Sequence, residues 1–131
     1  YALRSLTTRF TPFISSQIVG VFWTLWWMPM VMLNVGVIPD LPPVALLINQ
    51  TGIAAMCAFV YWHTRSGLIV LLLQIMVNST LLIFPVIPTV GGVGTYWAYA
   101  VTYYVCVVVL FIVFGPKPML APVQRAEYAK T

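Results

Sequence analysis

Long apolar runs and short polar breaks alternate along the chain. Runs of about 20 apolar residues, the length that a helix needs to cross the hydrocarbon core of a bilayer, occur at residues 15–35, 43–62, 67–84 and 96–114. The breaks between them contain the Pro, Gly and polar residues that are typical of turns. The 51 residues at positions 66–116 contain no Asp, Glu, Lys or Arg. This pattern predicts four transmembrane helices.

The predicted fold class is all-α, a polytopic membrane protein with about four transmembrane helices. The apolar runs are continuous and lack the strict alternation of membrane β-barrel strands, and a helix satisfies its backbone polar groups without water. We expect residues 1–14 to form the end of a cytoplasmic or interfacial helix. Residues 15–114 are expected to form the four-helix transmembrane region, and residues 115–131 a cytoplasmic tail.

Composition excludes a soluble globular domain. The chain is 62% hydrophobic and 6% charged, with a mean hydropathy of +1.00, whereas about a quarter of the residues in a globular domain are charged. The net charge of +4 comes from the chain ends and one turn, so the sequence offers no basic face for nucleic acid. Cys57 and Cys106 lie inside apolar runs, where we expect them to act as small hydrophobic residues.

The positive residues predict an orientation in the membrane. With four spans, one side of the bilayer holds all six Lys and Arg residues: Arg4, Arg9, Arg65, Lys117, Arg125 and Lys130. The other side holds only Asp40. By the positive-inside rule, both termini should be cytoplasmic, and we expect the protein in the plasma (cytoplasmic) membrane. Aromatic residues near the ends of the spans fit interfacial belts, namely Tyr61, Trp62, Tyr96, Trp97 and Tyr99.

Three polar or amphipathic residues at membrane depth are candidate site residues. Gln74 and Asn78 are four residues apart and so share a helix face. Counted from the cytoplasmic ends of their spans at 1.5 Å per residue, they lie about 10 and 16 Å deep, and Trp27 lies about 18 Å deep. The three residues can therefore meet in one layer. One interpretation is that the amides form interhelical hydrogen bonds, each contributing roughly 0.6–2 kcal/mol; the other is a functional site.

The sequence around these residues resembles a protease family. Residues 23–29 read Trp-Thr-Leu-Trp-Trp-Met-Pro and resemble the Trp-x-Leu-Trp-His-x-Pro helix of CPBP intramembrane metalloproteases, the CAAX prenyl endopeptidase and bacteriocin-processing group. Residues 62–80 resemble that family's later motif, an Arg/Gly turn before a helix with His-x-x-x-Asn. Residues 1–10 resemble the sequence after its Glu-Glu-x-x-x-Arg motif. The resemblance covers residues 1–84 and implies the C-terminal half of a protease domain, to be completed by N-terminal helices or a partner subunit.

The residues that differ from the family are the metal ligands. The family's two histidines align with Trp27 and Gln74, and only Asn78 matches. An indole has no lone pair for a metal, and a glutamine carbonyl is a poor substitute for imidazole at zinc. Zinc is the cofactor of active members, but we expect no cofactor and no metal site in this chain. The resemblance thus implies a divergent CPBP-type homologue, catalytically impaired or inactive, that binds peptide or prenylated segments in the bilayer.

Two other function classes remain open. A small four-helix transporter or channel subunit is one, although coupling to protons or cations usually needs an intramembrane carboxylate, which the predicted spans lack. The other is a structural membrane subunit, in which Gln74 and Asn78 form interhelical hydrogen bonds. Active proteolysis would require ligands from a partner or from an N-terminal half.

Overall fold

A computed structural model of the chain describes residue 6 and residues 10–36 and 38–114. These residues form helices and connecting turns, without a strand. The helices are α1 (Pro12–Leu33), α2 (Pro43–Thr64), α3 (Gly67–Ile83), the short α4 (Pro88–Gly91) and α5 (Val93–Val113). Four helical stretches are long and apolar enough to span a membrane: α1, α2, α5 and Gly67–Gly91, which begins with α3. The predicted all-α fold with four transmembrane helices is confirmed, and the protein is an integral membrane protein.

Local sequence explains where the helices begin. α1 starts earlier than predicted, at Pro12, because the Thr11 side chain accepts a hydrogen bond from the Ile14 N–H (3.3 Å) and proline suits the first helical turn. α2 and α3 start at the predicted residues. Pro43 occupies the first turn of α2, and the Ser66 hydroxyl caps α3 by accepting from the Ile69 N–H (3.5 Å).

Backbone conformation explains where α1, α2 and α3 end. α1 and α2 stop at Asn34 and Arg65, which both have left-handed backbone conformations (φ 50° and 55°). Such a residue ends a helix and lets its N–H reach carbonyls of the last turn. α3 ends before Phe84, whose extended backbone suits a residue that precedes proline. α5 begins at Val93, earlier than predicted, directly after Gly92 with its φ of 82°.

The second span, α2, is the centre of the helix group. α1 and α5 pack extensively against α2, and α3 packs against it less. Close approach depends on glycine: a Cβ on Gly20 of α1 would lie 2.7 Å from the Thr51 Cα, and one on Gly52 would lie 3.1 Å from the Tyr103 ring. Small residues at such crossings are typical of helix packing in membranes.

Two apolar clusters lie at opposite ends of this packing. One contains Val31, Leu41, Ala45, Leu46 and Tyr96, with Trp27, Ile38 and Trp97 against it. The other contains Ala55, Val107 and Phe111, with Phe13, Met56, Phe59 and Tyr103 against it. By contrast, α3 contributes no buried residue. The packed part of the molecule is therefore a three-helix unit of α1, α2 and α5, with α3 at its side.

Most of the predicted terminal segments lie outside the described residues. Of the predicted interfacial segment 1–14, the structure describes residue 6 and residues 10–14, and the Phe10 N–H donates to the Leu6 carbonyl (3.0 Å). The predicted tail, residues 115–131, lies wholly outside. Five of the six positive residues on which the predicted orientation depends lie outside as well, namely Arg4, Arg9, Lys117, Arg125 and Lys130.

Candidate functional site

Polar side chains line the contacts among α1, α2 and α5. We call this set the polar interior; it comprises Gln17, Thr24, Trp27, Asn49, Gln50, Thr51, Tyr96, Tyr103 and Tyr104, which are all buried or half-buried. In lipid, a polar group without a hydrogen-bond partner costs free energy. The role of the polar interior therefore depends on which of its side chains already have hydrogen-bond partners.

The hydrogen bond between Asn49 and Tyr96 links α2 to α5. The Asn49 Nδ2 donates to the Tyr96 hydroxyl oxygen at 3.3 Å, and Tyr96 is only 2% exposed. Trp27 of α1 packs against the apolar cluster that contains Tyr96. All three helices of the packed unit thus contribute side chains to the surroundings of Tyr96.

Two polar atoms at this place are buried without a partner among the described residues. They are the Oδ1 of Asn49, an acceptor, and the Nε1 of Trp27, a donor. A peptide group, an amide or a water molecule carries the complementary donor and acceptor. Neither atom is a nucleophile or a base, so the two atoms suggest hydrogen bonding rather than catalysis.

A second hydrogen bond, between Tyr104 and Gln17, links α5 to α1. The Tyr104 hydroxyl donates to the Gln17 Oε1 at 3.0 Å. The Gln17 Nε2, the Ser15 hydroxyl and the Tyr103 hydroxyl are buried without a partner in the described part of the chain. The hydroxyls of Thr24 and Thr51, by contrast, are satisfied by carbonyls of their own helices.

The structure gives the three predicted site residues different surroundings. Trp27 is half-buried in the polar interior. Gln74 is half-buried on α3 beside the thiol of Cys57. Asn78 is exposed on α3, and α1 does not pack extensively against α3. The structure therefore shows no joint site of the three, and their proposed common role stays a prediction.

Sequence reasoning did not single out Asn49, which hydrogen-bonds to Tyr96 in the polar interior. Asn49, Gln50 and Thr51 form a polar run inside a predicted span, which is the same signal that singled out Gln74 and Asn78. Tyr96, which the sequence places in an interfacial aromatic belt, has a buried side chain that accepts a hydrogen bond from Asn49.

The described residues do not fit a zinc ion. Among the described residues, no group of three or more His, Cys, Asp or Glu side chains could hold a metal. His63 lies in the last turn of α2, with its Nδ1 2.8 Å from the Phe59 carbonyl oxygen and its ring against the Phe59 ring. Cys57 and Cys106 form no disulfide.

Comparison with known proteins found no family model, no curated protein and no solved structure that matches this chain. The fold and the site therefore define its class only as a helical integral membrane protein. The resemblance to CPBP proteases stays a prediction.

Proposed function

We propose that the protein is a non-catalytic subunit of a membrane assembly, and that α3 is the helix that packs against another transmembrane helix. The observation that carries this proposal is the exposed amide of Asn78 on a helix with no buried residue. This proposal corresponds to the structural interpretation of the sequence.

The apolar surface of α3 needs no partner, since lipid suits it as well as protein does. The Asn78 amide differs, because no other described residue hydrogen-bonds to it and hydrocarbon offers no partner. The side of α3 that faces α2 carries a different amide, Gln74, beside Cys57. Asn78 therefore has no partner among the described residues, and a neighbouring helix is the simplest source of its hydrogen bonds.

The test is photo-crosslinking in the native membrane. A benzophenone amino acid at Leu82 of α3 should yield a crosslinked product, because Leu82 is exposed one turn from Asn78. The same amino acid at Trp26 of α1, an equally exposed position, is the matched control. The product should be lost in the Asn78→Leu variant. Equal products from both positions, or no dependence on Asn78, would remove the proposal.

A second candidate function is the binding of a peptide or prenylated segment in the polar interior, as the CPBP resemblance implies. The partnerless Asn49 Oδ1 and Trp27 Nε1 favour it, because a peptide bond carries the complementary carbonyl and N–H. Saturable binding of a farnesylated photoreactive peptide to the chain in lipid vesicles would support this candidate. The binding should weaken in Asn49→Leu and persist in Tyr103→Phe; binding without saturation would exclude it.

The proposed location is the plasma (cytoplasmic) membrane, with both termini in the cytoplasm. The one-sided distribution of the six Lys and Arg residues supports this orientation. A transporter or channel role has less support, because the chain's two acidic residues are Asp40, between α1 and α2, and Glu127, beyond the last predicted span.

A further inference from the structure

We propose that the partner of α3 is a second copy of this chain, and that the two α3 helices pair in parallel with their Asn78 side chains hydrogen-bonded to each other. This inference rests on the proposed assembly role and names the partner.

Exposed residues recur along α3 at alternating spacings of three and four. We call Leu68, Leu71, Ile75, Asn78 and Leu82 the α3 seam; its apolar members are 66%, 52%, 52% and 74% exposed, and Asn78 is exposed too. Alternating spacings of three and four place residues on one face of a helix, as in the contact line of a coiled coil. The seam runs along almost the whole of α3.

The seam lies beside the face that packs against α2, and the two adjoin at Gln74 and Asn78, which are four residues apart. The half-buried residues of α3 include Val70, Leu73, Gln74, Val77 and Leu81. At about 100° per residue, the centre of this set lies roughly 130° around the helix from the centre of the seam. A partner helix can therefore bind the seam while α3 keeps its contact with α2.

The single polar residue of the seam favours an identical partner. A primary amide has both donors and an acceptor, so two Asn78 side chains complement each other. Copies of one chain in the same bilayer share one orientation. A twofold axis along the membrane normal thus makes the α3 helices parallel and sets each residue opposite itself at equal depth. A lone Asn in an apolar seam fixes both register and the number of helices.

The experiment measures energy transfer between donor-labelled and acceptor-labelled full chains in lipid vesicles over a range of protein-to-lipid ratios. The unmodified chain should dimerise, and Asn78→Leu should raise the dimer Kd roughly 3- to 30-fold, as loss of an interhelical hydrogen bond implies. The control is Asn78→Leu combined with Met76→Asn, which keeps the number of amides on α3 but moves the amide off the seam. This control should stay as weak as Asn78→Leu alone; restored affinity would overturn the pairing.

Disulfide trapping provides an independent readout. In a Cys57→Ala, Cys106→Ala background, Leu71→Cys should form an intermolecular disulfide on oxidation, and Met76→Cys should not. Both positions are exposed, so neither change disturbs packing within the chain, and circular dichroism verifies the helix content. Equal trapping at both positions would also overturn the pairing.

The results separate this inference from the proposed function. If the chain stays monomeric at every protein-to-lipid ratio while crosslinking from Leu82 in native membranes still depends on Asn78, the partner is another protein and only the second-copy inference fails. If that crosslinking is absent as well, the assembly role fails with it.

Discussion

Tyr96 and Tyr103 differ in whether their hydroxyl groups have a hydrogen-bond partner. The Asn49 amide donates to Tyr96, whereas the Tyr103 hydroxyl is buried without a partner among the described residues. Removing one member of a buried hydrogen bond leaves the other unsatisfied, while removing a hydroxyl that has no partner removes a cost. Two chemically identical substitutions should therefore have different effects.

Tyr96→Phe should lower the free energy of unfolding by about 1–2 kcal/mol, because it leaves the Asn49 Nδ2 without its acceptor. Tyr103→Phe should leave stability unchanged or raise it. Both values can be measured by reversible unfolding in mixed micelles, followed by circular dichroism. Equal losses in the two variants would mean that ring packing, rather than the hydrogen bond, determines the effect.

The sequence predicts the level of a residue along its helix, but it does not predict the partners of that residue. Counting residues from a span end gives the level of Trp27, Gln74 and Asn78, because the helical rise is constant. A uniformly apolar sequence does not reveal which face of a span packs against a neighbouring helix. The structure accordingly places Trp27 in the polar interior and leaves Asn78 exposed.

Among the helices, the crossing of α1 and α2 depends on the missing side chain of Gly20. Its backbone lies so close to Thr51 that a methyl group would be 2.7 Å from the Thr51 Cα. Since the obstacle is backbone, it cannot turn aside as a flexible side chain would. This contact limits how closely α1 and α2 can approach each other.

Gly20→Ala should destabilise the fold by about 1–3 kcal/mol, the usual cost of overpacking. Gly67→Ala is the control, because a Cβ there has nothing within 4 Å and should cause no loss. The same micelle unfolding measurement applies to both. A Gly20→Ala variant as stable as the parent would show that α1 can shift away from α2 without cost.

Two helix starts were predicted to the residue, and two were not. Pro43 and Gly67 each follow a clear turn signal, and the structure starts α2 and α3 there. The starts of α1 and α5 depend on the caps Thr11 and Gly92, which lie among other polar or small residues. The short α4 lies inside a stretch that its Pro and Gly residues predicted to be a turn.

At the scale of the whole molecule, the positive charge of the predicted cytoplasmic side lies, among the described residues, in the connection between α2 and α3. The Arg65 guanidinium carbon lies 4.4 Å from the centre of the Trp62 ring, an arrangement that suits a charged group beside an interfacial aromatic residue. The connection between α1 and α2 carries Asp40 instead.

In a Cys57→Ala, Cys106→Ala background, Asp40→Cys should react with a membrane-impermeant maleimide added to intact cells. Gly67→Cys should react only after the membrane is permeabilised, because the positive-inside rule places it in the cytoplasm. The reverse labelling pattern would invert the proposed orientation and leave the helix packing as described.

The interhelical hydrogen bonds of the interior join positions far apart in sequence, and this has a consequence for biosynthesis. Asn49 and Tyr96 are 47 residues apart, and Gln17 and Tyr104 are 87 apart. At roughly 5–20 residues per second, Asn49 exists for about 2–9 s, and Gln17 for about 4–17 s, before its partner has been synthesised. During that time the first three helices carry amides that lipid cannot satisfy. Closure of the three-helix unit therefore has to wait until α5 has been synthesised and inserted.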